Sequence, residues 1–169
     1  MPLASEAITT ERLSLEPLRP EDAEEMAALL DDERLHEFVG GRPRTPGELR
    51  KHYAALVAGP AEANVRWLNW IVRRRGESRP LGTVQATLTN GDDGLTAHVA
   101  WVIGVEWQNQ GFASEAARAL VGWLRERGAE VILANIHPDH RASAAVARRA
   151  GLEPTDEQRD GEQVWRAPR

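Results

Sequence analysis

Two stretches of this 169-residue chain carry residue types whose spacing could do chemistry. In the first, an apolar run over 99–105 gives way to the polar triplet Gln108-Asn109-Gln110, then Gly111, then a helical pattern whose strongest interruption is Gly122. The spacing predicts strand, tight loop, helix. The first amides of a helix have no partner inside it, and its dipole places partial positive charge there, so an anion such as a phosphate is welcome at that end. Gly111 lets the backbone approach that anion with no side chain between. The second stretch, His137-Pro138-Asp139-His140-Arg141-Ala142-Ser143, offers two imidazoles and a hydroxyl at a turn entering a helix.

The elements that must position these stretches can be read in order. Leu13 and Leu15 alternate with polar neighbours, which predicts a first strand over 9–18 closed by Pro17. Arg19-Pro20-Glu21-Asp22 opens a helix, with proline at the start and acids in the first turn. Met26, Ala27, Leu29 and Leu30 form its apolar face. A short helix is expected over 32–39, then a loop over 40–47 in which Arg42 and Arg44 read as solvated charge. Thr45 caps a helix from Pro46 to about Val57, ended by Gly59-Pro60. Tyr53, the single tyrosine, reads as packing in that helix.

Strands are expected over 66–72, 80–89 and 95–103, as an antiparallel meander. Arg73-Arg74-Arg75 falls in a charged turn and reads as solvated. Trp67 and Trp70 lie on opposite strand faces. The helix over 111–127 carries the stripe Ala113, Ala116, Ala117, Leu120, Val121, Leu124, with Glu115, Arg118 and Arg125 on the other side. Val131-Ile132-Leu133-Ala134-Asn135-Ile136 is a continuous run suited to a buried parallel strand. A helix over 141–150 and two short strands around Asp160-Gly161 complete the chain.

Composition bounds the function. There is no cysteine, which excludes disulfides, cysteine zinc sites and a cysteine nucleophile. The net charge of −5 argues against nucleic acid as the partner. No apolar run approaches a membrane span, and the N-terminus lacks the features of a signal peptide, so a cytoplasmic protein with no membrane role is expected. Neither G-x-x-x-x-G-K-[S/T] nor G-x-G-x-x-G is present, which argues against a plain nucleotide-binding protein. His137-x-x-His140 is too few ligands for a metal site, and no metal is expected.

Gln108-x-x-Gly111-x-Ala113 resembles the Q/R-x-x-G-x-G/A signature of the GCN5-related N-acetyltransferases (GNAT). Gly111-Phe112-Ala113-Ser114-Glu115-Ala116 is similar to the G-Y-A-T-E-A of the branch containing ribosomal-protein N-terminal acetyltransferases of RimJ/RimL type. The opening TERLSLEPLRPEDAEEM resembles the usual start of that branch. The segment from Asp139 to Leu152 resembles D-N-x-A-S-x-x-V-x-x-x-x-G-F, at the expected distance, with His140 where the family usually has Asn. The resemblance implies a single domain over 1–169 with the α/β GNAT acyl-CoA N-acyltransferase fold, a mixed sheet in the order β-α-α-β-β-β-α-β-α-β-β.

It also implies a site. Backbone groups of Trp101, Val102 and Ile103 would pair with the pantetheine arm of acetyl-CoA. The loop Gln108, Asn109, Gln110, Gly111, Phe112, Ala113, with Ser114, would hold the pyrophosphate. The strand over 131–136 would splay from that over 95–103 and leave a slot for the thioester. Asn135, His140 and Ser143 would complete the coenzyme site, and the helices and loop after the first strand would wall the acceptor. Ser143 is the candidate proton donor to sulfur, or else a cap or coenzyme contact. Asn135 stands where many members carry Glu, leaving His98, Glu106 and Glu162 as candidate bases.

Without a cysteine, transfer would be direct, to a protein or peptide N-terminus or a small-molecule amine such as a polyamine, amino acid or antibiotic. A low-pKa amine is mildly favoured: an α-amine costs about 1 kcal/mol to deprotonate at pH 7, a lysine about 4–5 kcal/mol. The alternative is a non-catalytic acyl-CoA sensor on the same fold. Oligomeric state is left open, a homodimer included.

Overall fold

The computed structural model describes residues 3–38 and 40–169. The strand β3 (Val65–Arg74) shows how its layers arise. Leu68, Trp70 and Val72 are buried on one face, and Ile71 is buried on the other in a separate apolar cluster. A strand buried on both faces needs cover on both sides. Helices α1 (Ala23–Leu30) and α2 (Pro46–Ala58) cover the Ile71 side. Helix α3 (Phe112–Glu126) covers the Trp70 side, where Trp70 and Trp123 meet edge to face at 5.3 Å.

The sheet has eight strands among the described residues. They are β1 (Ile8–Thr9), β2 (Leu13–Pro17), β3, β4 (Pro80–Gly91), β5 (Gly94–Ile103), β6 (Ala129–Ile136), β7 (Glu153–Arg159) and β8 (Glu162–Arg166). Their spatial order is β1-β2-β3-β4-β5-β6-β8-β7, antiparallel throughout except for the parallel pair β5/β6. Helix α4 (Arg141–Arg149) lies beside α3 and β6. The mixed α/β sheet, the β3-β4-β5 meander and the helix order agree with the sequence reading. So does Thr45, whose hydroxyl accepts from Glu48 N while the Glu48 carboxylate accepts from Thr45 N, a capping box.

Three local expectations are corrected. The single first strand is a hairpin, β1 and β2, because Thr10 turns the chain: its amide donates to the Leu13 carbonyl at 2.9 Å and its hydroxyl accepts from Leu13 N. The helix expected from Arg19 begins as a 3-10 turn over Pro20–Asp22, closed by the Asp22 carboxylate on Arg19 N. The short helix expected over 32–39 is a 3-10 turn over Glu33–His36, capped by Asp32; Val39 lies outside the described residues. The strand expected over 95–103 does end at Ile103, and the apolar run to Val105 passes into a 3-10 turn over Val105–Trp107. Gly104 sits at that break, donating to the Leu81 carbonyl at 2.8 Å, and a Cβ there would stand 2.5 Å from Leu29 Cδ1.

A fourth correction concerns charge. Arg73 is in β3, not in a solvated turn, and is 8% exposed. Its guanidinium meets Glu16 at 2.7 Å, Asp22 at 3.4 Å and Glu25, tying β2, the turn before α1, and α1 itself to β3. No helix among the described residues is long and apolar enough to cross a membrane.

Candidate functional site

The site begins where two strands part. The β5/β6 ladder runs from Leu95↔Ala129 to His98↔Leu133 and stops. Beyond it, β6 is paired by β8, from Leu133↔Arg166 to Ile136↔Gln163. Residues 99–103 of β5 keep β4 on one edge and have no strand on the other among the described residues. The gap opens into a cleft of about 1270 Å³.

One wall is the loop before α3. Asn109 and Gly111 take left-handed backbone, φ 63° and 82°, conformations that asparagine tolerates and glycine adopts freely. Gln108 donates from Nε2 to the Ile103 carbonyl at 3.0 Å, tying the loop to the end of β5. In α3 the first amide with a partner is that of Glu115, which donates to the Gly111 carbonyl at 3.0 Å. The amides of residues 109–114 have no protein acceptor among the described residues. This row of free donors at a helix start, beside the free edge of β5, is suited to an anionic, extended ligand.

The facing wall is the turn after β6 and the start of α4. His140 caps α4, its Nδ1 accepting from Ser143 N at 3.4 Å. The imidazole therefore replaces the usual asparagine amide as a cap. Burial lowers its pKa, which favours the neutral ring that accepting requires; Glu37 opposes the shift and His137 adds to it. Phe38, from the segment after the first 3-10 turns, stacks on His140 at 4.3 Å and meets His137 at 5.2 Å. Arg34, Leu35 and Glu37 of the same segment also border the cleft, as do Thr83 and Gln85 of β4.

Of the residues singled out in the sequence, Trp101, Val102, Ile103, Gln108 and Asn109 line the cleft, as do Gly111, Ala113 and Ser114. Asn135, His140 and Ser143 line it from the other side. Gln110 and Phe112 are not among its lining. Gln110 turns back to the Glu106 carbonyl, and Phe112 is buried under the guanidinium of Arg12. Of the candidate bases, only Glu162 borders the cleft. Glu106 is exposed elsewhere. His98 sits at the last β5/β6 pair, its pKa lowered by burial, with Arg159 adding. Tyr53 is buried in the α1/α2 cluster with its hydroxyl unpartnered, and burial pushes it up to about 12. Among the described residues no three side chains gather to hold a metal ion. Sequence reasoning missed Phe38, which carries no periodic or motif signal, and Arg12, which lies in the TERLSLEPLRPEDAEEM stretch but has no local feature that shows its partner Glu115.

Comparison with known proteins agrees with this geometry. A family model described as an acetyltransferase (GNAT) domain matches residues 12–153. No curated protein matches the chain. Among solved structures, a GNAT-family acetyltransferase from Bacillus anthracis is similar at TM-score 0.76 and 20% identity, covering 95% of this chain and 97% of that one. RimL, a ribosomal alpha-N-protein acetyltransferase in complex with coenzyme A, is similar at 0.78 and 17%, with coverage of 95% and 97%. MccE, a microcin self-immunity acetyltransferase in complex with acetyl-CoA and AMP, is similar at 0.74 and 14%, covering 93% and 92%. At these identities the structures speak to the fold; the family model spans most of the chain, which therefore belongs to the GNAT acetyltransferases.

Proposed function

We propose that the chain is a single GNAT domain over 1–169 that transfers the acetyl group of acetyl-CoA directly to a primary amine in a ternary complex. The observation that carries this is the row of unpartnered amides over 109–114 opening into the same cleft as the free edge of β5. The residues present fit the coenzyme: amides and left-handed backbone for a pyrophosphate, an unpaired strand edge for the pantetheine amides, and a slot beyond the last β5/β6 pair for the thioester. When bound, acetyl-CoA supplies an activated acyl carbonyl.

This chain's residues do the rest. A backbone amide on the free edge of β5 donates to the oxygen that gains charge. The hydroxyl of Ser143 gives a proton to the departing sulfur. Glu162, the one candidate base that borders the cleft, takes the ammonium proton of the acceptor through water. A protein N-terminus or a small-molecule amine is the acceptor, and the acidic net charge suits a cationic one. The reading places the protein in the cytoplasm, without a nucleic-acid partner, membrane or metal. Gel filtration decides whether it works as a homodimer.

The first test is thermal unfolding with acetyl-CoA, desulfo-CoA and ATP. Saturation at 100 times Kd adds about 2.7 kcal/mol, or roughly 5–10 °C for a domain of this size. A rise for both coenzyme A ligands and none for ATP, followed by amine-dependent thiol release, is expected. No rise at millimolar ligand overturns the reading. Binding without thiol release for any amine would mark an acyl-CoA sensor.

A further inference from the structure

The loop that faces the cleft is held from behind by a residue 98 positions earlier in the chain. The turn between β1 and β2 rests on the start of α3. Glu115 accepts from the Thr10 hydroxyl at 2.5 Å, from Arg12 N at 2.9 Å and from Arg12 Nε at 2.7 Å. Burial works to raise the Glu115 pKa, but these donors outweigh it and hold the carboxyl below its ordinary value, so Glu115 is ionised at neutral pH.

So fixed, the guanidinium spans the loop. One terminal nitrogen donates to the Gln110 carbonyl at 3.0 Å. The other lies 3.2 Å from where a Cβ on Gly111 would stand. The guanidinium carbon is 4.4 Å from the centre of the Phe112 ring. Gln110, Gly111 and Phe112 are thus all touched by one side chain that itself stays out of the cleft lining.

Resting on the acetyl-CoA reading above, we propose that Arg12, clamped by Glu115, is a positioning residue for coenzyme A, acting through the loop over 108–114. The physical reason is preorganisation. Holding a glycine-containing loop in one conformation with its amides turned to one side costs conformational entropy. Inside the loop, the side-chain ties are Gln108 to Ile103 and Gln110 to Glu106. Arg12 adds the long-range tie, so the donors are already aimed when the ligand arrives and less ordering is charged against binding. Because Glu115 neutralises Arg12, the pair adds little net charge at the anion site. Its effect is one of shape.

That difference gives a decisive test. Binding of coenzyme A to the full-length protein is measured by titration calorimetry for wild type, Arg12→Ala, Arg12→Lys and Glu115→Gln, with urea unfolding of each in parallel. Losing hydrogen bonds to charged groups should raise Kd about tenfold or more for Arg12→Ala. Arg12→Lys keeps the charge without the planar fork and should recover little of it. Glu115→Gln leaves Arg12 an uncompensated cation: a charge effect would tighten binding, whereas positioning predicts weaker binding. With an acceptor found by thiol release, KM for acetyl-CoA should rise while kcat stays within about twofold. Should Arg12→Ala fail to fold, Arg12→Lys and Glu115→Gln carry the test. Lower stability with Kd within twofold of wild type would overturn the proposal, and so would tighter binding by Glu115→Gln. If wild type itself does not bind coenzyme A, the functional reading falls and the proposal with it.

Discussion

The ring of Phe38 lies over the imidazole of His140, with centroids 4.3 Å apart and planes 18° from parallel. The contact joins the segment after α1 to the cap of α4 along one wall of the cleft. Such pairs contribute about 0.5–1.5 kcal/mol beyond area burial. Phe38→Ala is expected to lower the urea midpoint accordingly. It should also raise KM for the acceptor more than for acetyl-CoA, because Phe38 stands on the wall opposite the loop over 108–114. Equal changes in both constants would assign Phe38 to general packing.

His140 makes stability depend on pH. Its folded pKa lies below the ordinary 6.5, chiefly through burial. As pH falls, the unfolded chain takes the proton first, so stability is full above about pH 6.5 and declines as pH drops toward the folded pKa. A protonated ring also cannot accept from Ser143 N. His140→Asn should flatten the decline while keeping the cap, and His140→Ala should flatten it at a cost of about 1 kcal/mol. The slope that remains belongs to His52 and His98, both also lowered by burial, and near pH 5 to Glu48 and Glu115, whose carboxyls are held below their ordinary value. Urea midpoints from pH 5 to 8 read all three proteins.

Removing Arg73 takes its guanidinium from three carboxylates and leaves Asp22, 4% exposed, with Arg19 alone. Breaking a buried pair from one side costs about 3–5 kcal/mol. Arg73→Ala should reach that range in urea unfolding, whereas Glu16→Gln, at the half-exposed partner, should cost under 1 kcal/mol. A loss below 1 kcal/mol for Arg73→Ala would show the cluster to be incidental.

Gly82 faces the end of β5 so closely that a Cβ there would stand 2.0 Å from the Val102 carbonyl oxygen. The two nearest atoms, the Val102 carbonyl oxygen and Ile103 Cα, are backbone, so the strand itself must shift. Gly82→Ala should cost about 1–3 kcal/mol and weaken coenzyme binding, since residues 99–103 form the free edge. An unchanged melting temperature would mean β5 can slide without penalty.

Ser143→Ala and Glu162→Gln test the two proton transfers. Each should lower kcat by up to about 10²–10⁴ with Kd for coenzyme A little changed. A loss under threefold for either residue would remove it from the mechanism. Glu162→Gln should also abolish the acidic limb of the kcat/KM profile if the carboxylate is the base.

The loop and helix of the site were legible because glycine, a polar triplet and a helical stripe are local signals. So were the Thr45 cap and the opposite faces of Trp67, exposed, and Trp70, buried. What escaped depends on distant partners. The turn between β1 and β2 has no Gly, Pro or Asn to mark it and is pinned by Glu115, more than 100 residues away. Arg73 sits in an arginine triplet that looks solvated until Glu16, Asp22 and Glu25 arrive from other elements.

The partner exchange of β6, from β5 to β8 at Leu133, has a further consequence. β6 lies between the two, and β8 pairs the edge turned away from β5, so the outer half of β6 is held from the far side as it diverges. The opening is therefore written into the course of the backbone rather than cut by side chains. Closing it would require the outer half of β6 to drag β8 and β7 along with it.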